Sequence, residues 1–175
     1  MTRAVLALGS NLGDRYGRLR AAVRSLDDVL LVVSGVYETP PWGDPAQPDY
    51  LNAVALVADP GAAPADWLDR CRSLERAAGR VRDPDRPYGP RSLDADVVAV
   101  WTDDDVPVFS DDPELVLPHP RARLRAFVLR PWIDVQPYGQ LPGHGWLTDL
   151  LNHDPVAGDL LELRPRPDLP LESTQ

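Results

Sequence analysis

Lysine is absent from the 175 residues, so all 18 basic side chains are arginine. That excludes Schiff-base and lysine general-base chemistry, and with them a phosphate loop ending in Gly-Lys-Ser/Thr. A bound phosphate would have to be held by arginine, backbone N–H groups or a metal, and the guanidinium fork grips oxygens in pairs. Cysteine is almost missing too: Cys71 stands alone, which rules out an internal disulfide and a thiolate zinc site. It falls at helical spacing with Leu68 and Leu74 and reads as a core position. Positive charge is in deficit, 18 basic against 27 acidic residues for a net charge of -9. No segment gathers basic residues in a run, so nucleic acid is not expected as a partner. Long apolar runs are lacking as well. The opening MTRAVLALGSNLGD is too short in its apolar part for a signal sequence, and no later stretch approaches the ~20 residues of a membrane span. A cytoplasmic protein with no membrane partner is expected.

What is present suits one domain, with 43% hydrophobic residues to fill its core. Arg3 to Gly9 reads as a first strand closed by the turn residues Gly9, Ser10, Asn11 and Gly13. From Asp14 the period changes, and Leu19, Ala22, Val23, Leu26 and Leu30 fall on one helical face. Leu31 to Tyr37 is β-rich and stops at TPPWGDPAQPD, whose prolines exclude regular structure. Tyr50 to Val57 resumes as a strand. Pro64 opens a second helix with a stripe of Trp67, Leu68, Cys71, Leu74, Ala77 and Ala78, ended by Gly79. The loop RVRDPDRPYGPR leads to a strand over Leu93 to Trp101, and a short helix is expected near Phe127 to Trp132. Periodicity fades after Pro155. The expected division is a single domain over 1–165 and a loose tail over 166–175. The order strand, helix, strand, strand, helix, strand predicts an α+β fold, a ferredoxin-like βαββαβ core with a mostly antiparallel sheet and helices packed on it.

Three clusters carry chemistry. In Asp94-Ala95-Asp96 the two carboxylates are two apart on a strand, so they share a face at about 6–7 Å along the chain. Bare, they repel each other, and a hard cation such as Mg²⁺ relieves that while taking oxygen ligands. Arg80, Arg82 and Arg91 precede the pair and supply donors for charged oxygens, the combination phosphoryl transfer requires. The second cluster is Thr39, Pro40, Pro41, Trp42 and Gly43 with Tyr50 and Asn52. Tyr50 can stack on a flat heterocycle, and Asn52, on the same strand face, offers both donor and acceptor to an amide-like ring edge. The third is Leu117-Pro118-His119-Pro120-Arg121 with Arg123, Arg125 and Phe127, where the two prolines keep His119 on a loop.

Taken in order, ALGSNLGD, YETPPWG, QPDYLNAV, LERAAGRVR, YGPRSLDAD and LPHPRARLRAF resemble the family of 6-hydroxymethyl-7,8-dihydropterin pyrophosphokinases, through nearly all of the chain up to about Trp132. The resemblance implies an enzyme of folate biosynthesis that binds ATP with two Mg²⁺ ions and transfers diphosphate to the pterin hydroxymethyl group, releasing AMP. By position, it implies that Asp94 and Asp96 hold the metals and that Arg80 and Arg91 stabilise phosphate charge, with Arg82 reaching the same region. Glu75, His119 and Arg125 match further nucleotide contacts. Tyr50 and Phe127 would sandwich the pterin, its polar edge read by Asn52 and by main-chain groups near Thr39, Pro41 and Trp42, with Tyr88 closing over it. Tyr88 stands where the family usually has Trp, and the loop is longer through Asp83 to Pro87. A monomer is expected. Two other classes fit parts of the pattern: a binding module without turnover, and a metal-dependent sugar transferase, which leaves the arginines ahead of the aspartates unexplained.

Overall fold

The computed structural model describes residues 1–81, 84–85, 87 and 90–172. Along the chain run β1 (Thr2–Ser10), α1 (Arg15–Arg24), β2 (Leu30–Val33), β3 (Tyr37–Thr39), β4 (Tyr50–Asp59), α2 (Pro64–Ala77), β5 (Asp94–Thr102), β6 (Ser110–Asp112) and β7 (Leu115–Leu117). Then follow α3 (Ala126–Val135), β8 (Gln140–Leu141), β9 (Gly145–Trp146), α4 (Leu147–Leu151), α5 (Val156–Asp159) and β10 (Arg164–Pro165).

The principal sheet has the order β10-β3-β4-β1-β5, with β2 also paired to β4, and every pairing in it is antiparallel. Fold class therefore agrees with the expectation of a mixed α and β protein with an antiparallel sheet and packed helices. Both faces of the sheet are covered. On one, Leu19, Ala22 and Val23 of α1 and Trp67, Cys71 and Leu74 of α2 meet Leu6, Leu8, Ala53, Ala55 and Val57. On the other, Val128, Leu129 and Trp132 of α3, with Leu141, Leu147 and Val156, meet Val5, Val54, Val98 and Ala99. A strand covered on two sides reads as a continuous apolar run, which is what VLAL in β1 and VVAV in β5 are. A register shift opposite Val5 and Leu6 bulges β5 and lets consecutive Val98 and Ala99 join the same cluster.

Local signals account for the element boundaries. The Asp14 side chain accepts the Gly17 N–H at 2.9 Å and caps α1, which ends at Arg24, so Leu26 is buried in the following turn and Leu30 begins β2. Pro64 sits in the first turn of α2, and Gly79 takes a φ of 69° just past its end. The single β-rich run expected from Leu31 to Tyr37 is split. Ser34 uses both its N–H, toward the Val54 carbonyl at 2.8 Å, and its hydroxyl, which accepts from Val54 N at 2.9 Å, so the ladder breaks into β2 and β3 there. Cys71 is a core residue, 1% exposed.

Residues 166–172, read as part of a tail, dock on the body of the protein. The Arg166 N–H donates to the Val36 carbonyl at 2.8 Å, continuing the pairing of β10 with β3. Leu171 is buried in the core and the Tyr16 hydroxyl bonds the Pro170 carbonyl. Proline removes periodicity from such a segment without removing its apolar anchors, so pattern alone hides the docking. Among the described residues, no helix is long and apolar enough to cross a membrane.

Candidate active site

β1 and its neighbours end in a cleft lined by Gly9, Thr39, Pro40, Trp42, Tyr50, Asn52, Arg91, Asp94, Asp96, Arg125, Phe127 and Val128, with Ala7 and Leu8. Residues from all three sequence clusters thus share one space. Register explains the convergence: Gly9 of β1 pairs with Asn52 of β4 on one side and with Asp94 of β5 on the other.

Asp94 and Asp96 both line the cleft, while Ala95 between them turns to the core on the far side. Asp94 Oδ1 receives Arg80 Nη1 at 2.9 Å and Arg91 Nη1 at 2.8 Å. Asp96 Oδ2 lies 3.3 Å from Arg125 Nη1 and 3.9 Å from His119 Nε2. Burial and the neighbouring Asp94 push the Asp96 carboxyl up to about 6. Burial works against the charge on Arg91, but Asp94, with Tyr50 and Asp96, holds its pKa above the usual value. His119 is pushed down to about 4 by burial and by Arg125, so it is neutral at physiological pH. Its Nδ1 accepts the Arg121 N–H at 3.2 Å, which leaves the ring proton on Nε2, toward Asp96.

Glu75, expected at the nucleotide, is 6% exposed and lies beneath the aspartates. Its Oε1 accepts the Ala95 N–H at 3.1 Å and also bonds Arg80, so it ties α2 to the start of β5. With Arg72, Arg76 and Arg80 it lines a recess next to the cleft. Arg80 therefore faces the recess while reaching Asp94.

On the other side, Asn52 is buried and donates from Nδ2 to Thr39 Oγ1 at 2.8 Å, leaving its carbonyl oxygen for the cleft. Tyr50 and Phe127 both line the cleft, the latter from the first turn of α3. Burial raises the Tyr50 pKa and keeps its hydroxyl protonated. The Arg125 guanidinium carbon lies 5.3 Å from the Trp42 ring centre and 5.6 Å from that of Phe127, within cation–π range of both. Its Nε is buried and has no hydrogen-bond partner among the described residues. Pro40 lines the cleft and Pro41, beside it, does not. Arg82 and Tyr88 lie outside the described residues.

Two residues with the sequence character of turn formers build the site. Gly9 lies within β1, where a Cβ would come 3.0 Å from Asn52 Oδ1 and 3.3 Å from Tyr50 Cδ1, so glycine makes room for those two side chains. Asn11 is buried and joins three segments. Its Nδ2 donates to Gln47 Oε1 at 3.0 Å and to the Pro48 carbonyl at 3.2 Å, and its Oδ1 accepts the Arg91 N–H at 2.7 Å. Ser10 adds a 2.6 Å bond from its hydroxyl to the Ser92 carbonyl. The available signal was an Asn directly after a strand, a residue whose short amide bonds nearby backbone.

The donor set suits a hard divalent cation. Two carboxylates meet in one cleft, one with its pKa raised partly by the other, and arginines that could receive phosphate oxygens surround them.

The family model for 7,8-dihydro-6-hydroxymethylpterin-pyrophosphokinase (HPPK) matches residues 5–137. A Mycobacterium tuberculosis protein named 2-amino-4-hydroxy-6-hydroxymethyldihydropteridine pyrophosphokinase is 47% identical over 169 residues, covering 94% of this chain and 86% of its own. A protein of the same name from Methylorubrum extorquens is 44% identical, covering 93% of this chain and all of its own. Among solved structures, an HPPK-DHPS in complex with substrates matches with a TM-score of 0.62 at 11% identity, and a Plasmodium falciparum HPPK-DHPS with 0.61 at 12%. Each match covers 86% of this chain and less than half of the solved one, 43% and 45% respectively, and at that identity the likeness concerns fold. With the family model spanning most of the sequence and relatives this similar along nearly their whole length, the chain belongs to the 7,8-dihydro-6-hydroxymethylpterin-pyrophosphokinase family.

Proposed function

We propose that the cleft transfers the diphosphate of ATP to 6-hydroxymethyl-7,8-dihydropterin, giving AMP and the pterin diphosphate, a reaction of folate biosynthesis. The observation that carries the site assignment is the convergence in one cleft of Asp94 and Asp96 with Arg91, Arg125, Tyr50, Asn52 and Phe127.

The pterin belongs on the aromatic side. Tyr50 and Phe127 offer faces for the ring, and the Asn52 amide, fixed by Thr39, offers its oxygen to the ring's polar edge. The triphosphate belongs on the arginine side, where the recess lined by Arg72, Glu75, Arg76 and Arg80 adjoins Asp94. The pterin hydroxyl oxygen then forms a bond to the β-phosphorus, the bond from that phosphorus to the α,β-bridging oxygen breaks, and AMP leaves with the bond's electrons. The hydroxyl proton passes to solvent. Arg80 and Arg91 neutralise the oxygens of the group in transit, and Arg125 adds a further positive charge beside Asp96. His119, neutral with its proton on Nε2 and that nitrogen 3.9 Å from Asp96 Oδ2, is not a base there.

Asp94 and Asp96 would hold two Mg²⁺ ions. Such ions supply charge neutralisation to the phosphate oxygens and cancel the repulsion that raises Asp96. Positioning and electrostatics supply most of the rate in phosphoryl transfer, so the lack of an assigned general base is no obstacle. We also read the core β1-α1-β3-β4-α2-β5 as ferredoxin-like, supported by the antiparallel order β3-β4-β1-β5.

The test is an assay with ATP, Mg²⁺ and 6-hydroxymethyl-7,8-dihydropterin, its products separated by chromatography. Pterin-dependent AMP with pterin diphosphate is expected. ADP, or binding of both substrates without product, would overturn the reading.

A further inference from the structure

The connection between β3 and β4, residues 40–49, carries Pro40 and Trp42 into the cleft, and its two ends are held from outside the site. Glu38 precedes this loop and Asp49 closes it. A single guanidinium spans the gap between them: Arg164 Nη2 lies 3.0 Å from Glu38 Oε1 and 2.8 Å from Asp49 Oδ2. Arg166 Nη1 adds a contact of 3.3 Å to Glu38 Oε2 and is itself oriented by Asp168 at 2.8 Å. Arg15, at the start of α1, repeats the span from the other side, 2.9 Å from Glu38 Oε2 and 2.9 Å from the Asp49 carbonyl.

Backbone pairing reinforces this. Arg164 and Pro165 of β10 pair with Glu38 and Tyr37 of β3, and in the next register step Thr39 pairs with Tyr50. The segment is anchored beyond by Leu171 in the core. Thus β10 borders the hairpin whose Thr39, Tyr50 and Asn52 form one wall of the cleft, although no residue of β10 touches the cleft itself.

We infer that β10, through Arg164 and Arg166, is a positioning element for the pterin side of the site. It clamps the ends of the 40–49 loop so that Trp42, Tyr50 and Asn52 keep the geometry of the substrate wall. This rests on the proposed placement of the pterin. Arg164 is 60% exposed, so its ion pairs contribute little to global stability. Their effect is local to the loop.

The experiment compares the full-length Arg164→Ala/Arg166→Ala protein with its parent by hydrogen–deuterium exchange and by steady-state kinetics in both substrates. Exchange in residues 40–49 should quicken, and the KM for the pterin should rise about fivefold, as expected for surface pairs worth ~1 kcal/mol together. The KM for ATP should stay unchanged. The Arg164→Lys/Arg166→Lys protein, which keeps the charge, should recover most of the loss. Unchanged exchange, quickened exchange with an unchanged pterin KM, or equal rises in both KM values would each overturn the inference. A parent protein that makes no AMP from ATP and pterin would fail the reaction assignment instead, with the exchange measurement still deciding whether the clamp exists.

Discussion

Replacing Gly9 with alanine sets two opposing effects against each other, and their sizes differ enough to predict the outcome. The new methyl would sit 3.0 Å from Asn52 Oδ1 and 3.3 Å from Tyr50 Cδ1, tighter than ordinary van der Waals contact. Asn52 has little freedom to yield, because it is buried and its amide is bonded to the equally buried Thr39 at 2.8 Å. Overpacking of this kind costs ~1–3 kcal/mol. Gly9 is not among the residues with positive φ, so alanine also restricts the unfolded chain, which returns about 0.4–1 kcal/mol. The net loss of stability should be about 1 kcal/mol, a fall of a few degrees in Tm. Binding has no such offset, since the displaced groups are the proposed pterin wall. Tyr50 and Asn52 pushed toward the cleft should weaken pterin binding about tenfold, equivalent to ~1.4 kcal/mol, with ATP affinity unaltered. Calorimetric titration with each substrate and a thermal melt would measure all three quantities. Pterin affinity within twofold of the parent would refute the claim that Gly9 is there to make room for the two side chains.

Asp96→Ala should abolish AMP formation while circular dichroism stays unchanged, and parent-like turnover would remove the metal assignment. Asp96→Asn tests the electrostatics without metal. The folded-state pKa of about 6 exceeds the ordinary aspartate value of 3.8, so the native carboxylate weakens folding as pH rises from about 4 to 6 and the penalty is complete above that. The amide variant should therefore melt above its parent at pH 7.5 by of order 1 kcal/mol, discounted because the side chain is partly exposed, and lose that advantage at pH 4. Equal gains at both pH values would show that repulsion is not the cause. Phe127→Ala should weaken pterin binding by about 1–3 kcal/mol, as loss of an aromatic stacking face does, and unchanged calorimetric affinity would return Phe127 to a packing role. Tyr37, whose hydroxyl bonds Asp134, is pushed up to about 12 by burial and that carboxylate. Alkaline absorbance titration should show a late-ionising phenol that is missing in Tyr37→Phe; the stability it contributes is lost as pH rises from about 10 to 12.

The sequence was most legible where period and chemistry coincided. Asp-x-Asp on a strand necessarily puts two carboxylates on one face, and Asp94 and Asp96 do line one cleft. The stripe from Trp67 to Leu74 and the proline at its start gave α2 directly. Less legible was anything set by a neighbour distant in sequence. Gly9 and Asn11 look like turn formers because their partners lie far along the chain: pairing of β1 with β4 brings Asn52 to Gly9, and Asn11 reaches Gln47 in the 40–49 loop and Arg91, 80 residues on. Glu75 matched a nucleotide contact by position, but the same carboxylate is engaged by the Ala95 amide and Arg80. The segment after Pro155 is hard to read for another reason. Its anchors are single residues, Val156 and Leu171, spaced too widely to show a period.

Arg125 stands with one end of its guanidinium against Asp96, at 3.3 Å, and its face near the rings of Trp42 and Phe127. A flat ligand entering the aromatic side must share or displace that cation, and doing so changes the charge felt by the carboxylate. Thermodynamic linkage then applies in both directions: whatever factor the pterin imposes on affinity at the aspartates, occupancy of the aspartates imposes on the pterin. On the proposed placement of pterin and phosphates, the two substrates would be energetically coupled through one side chain, and an affinity measured for either alone would be a property of half the assembled site.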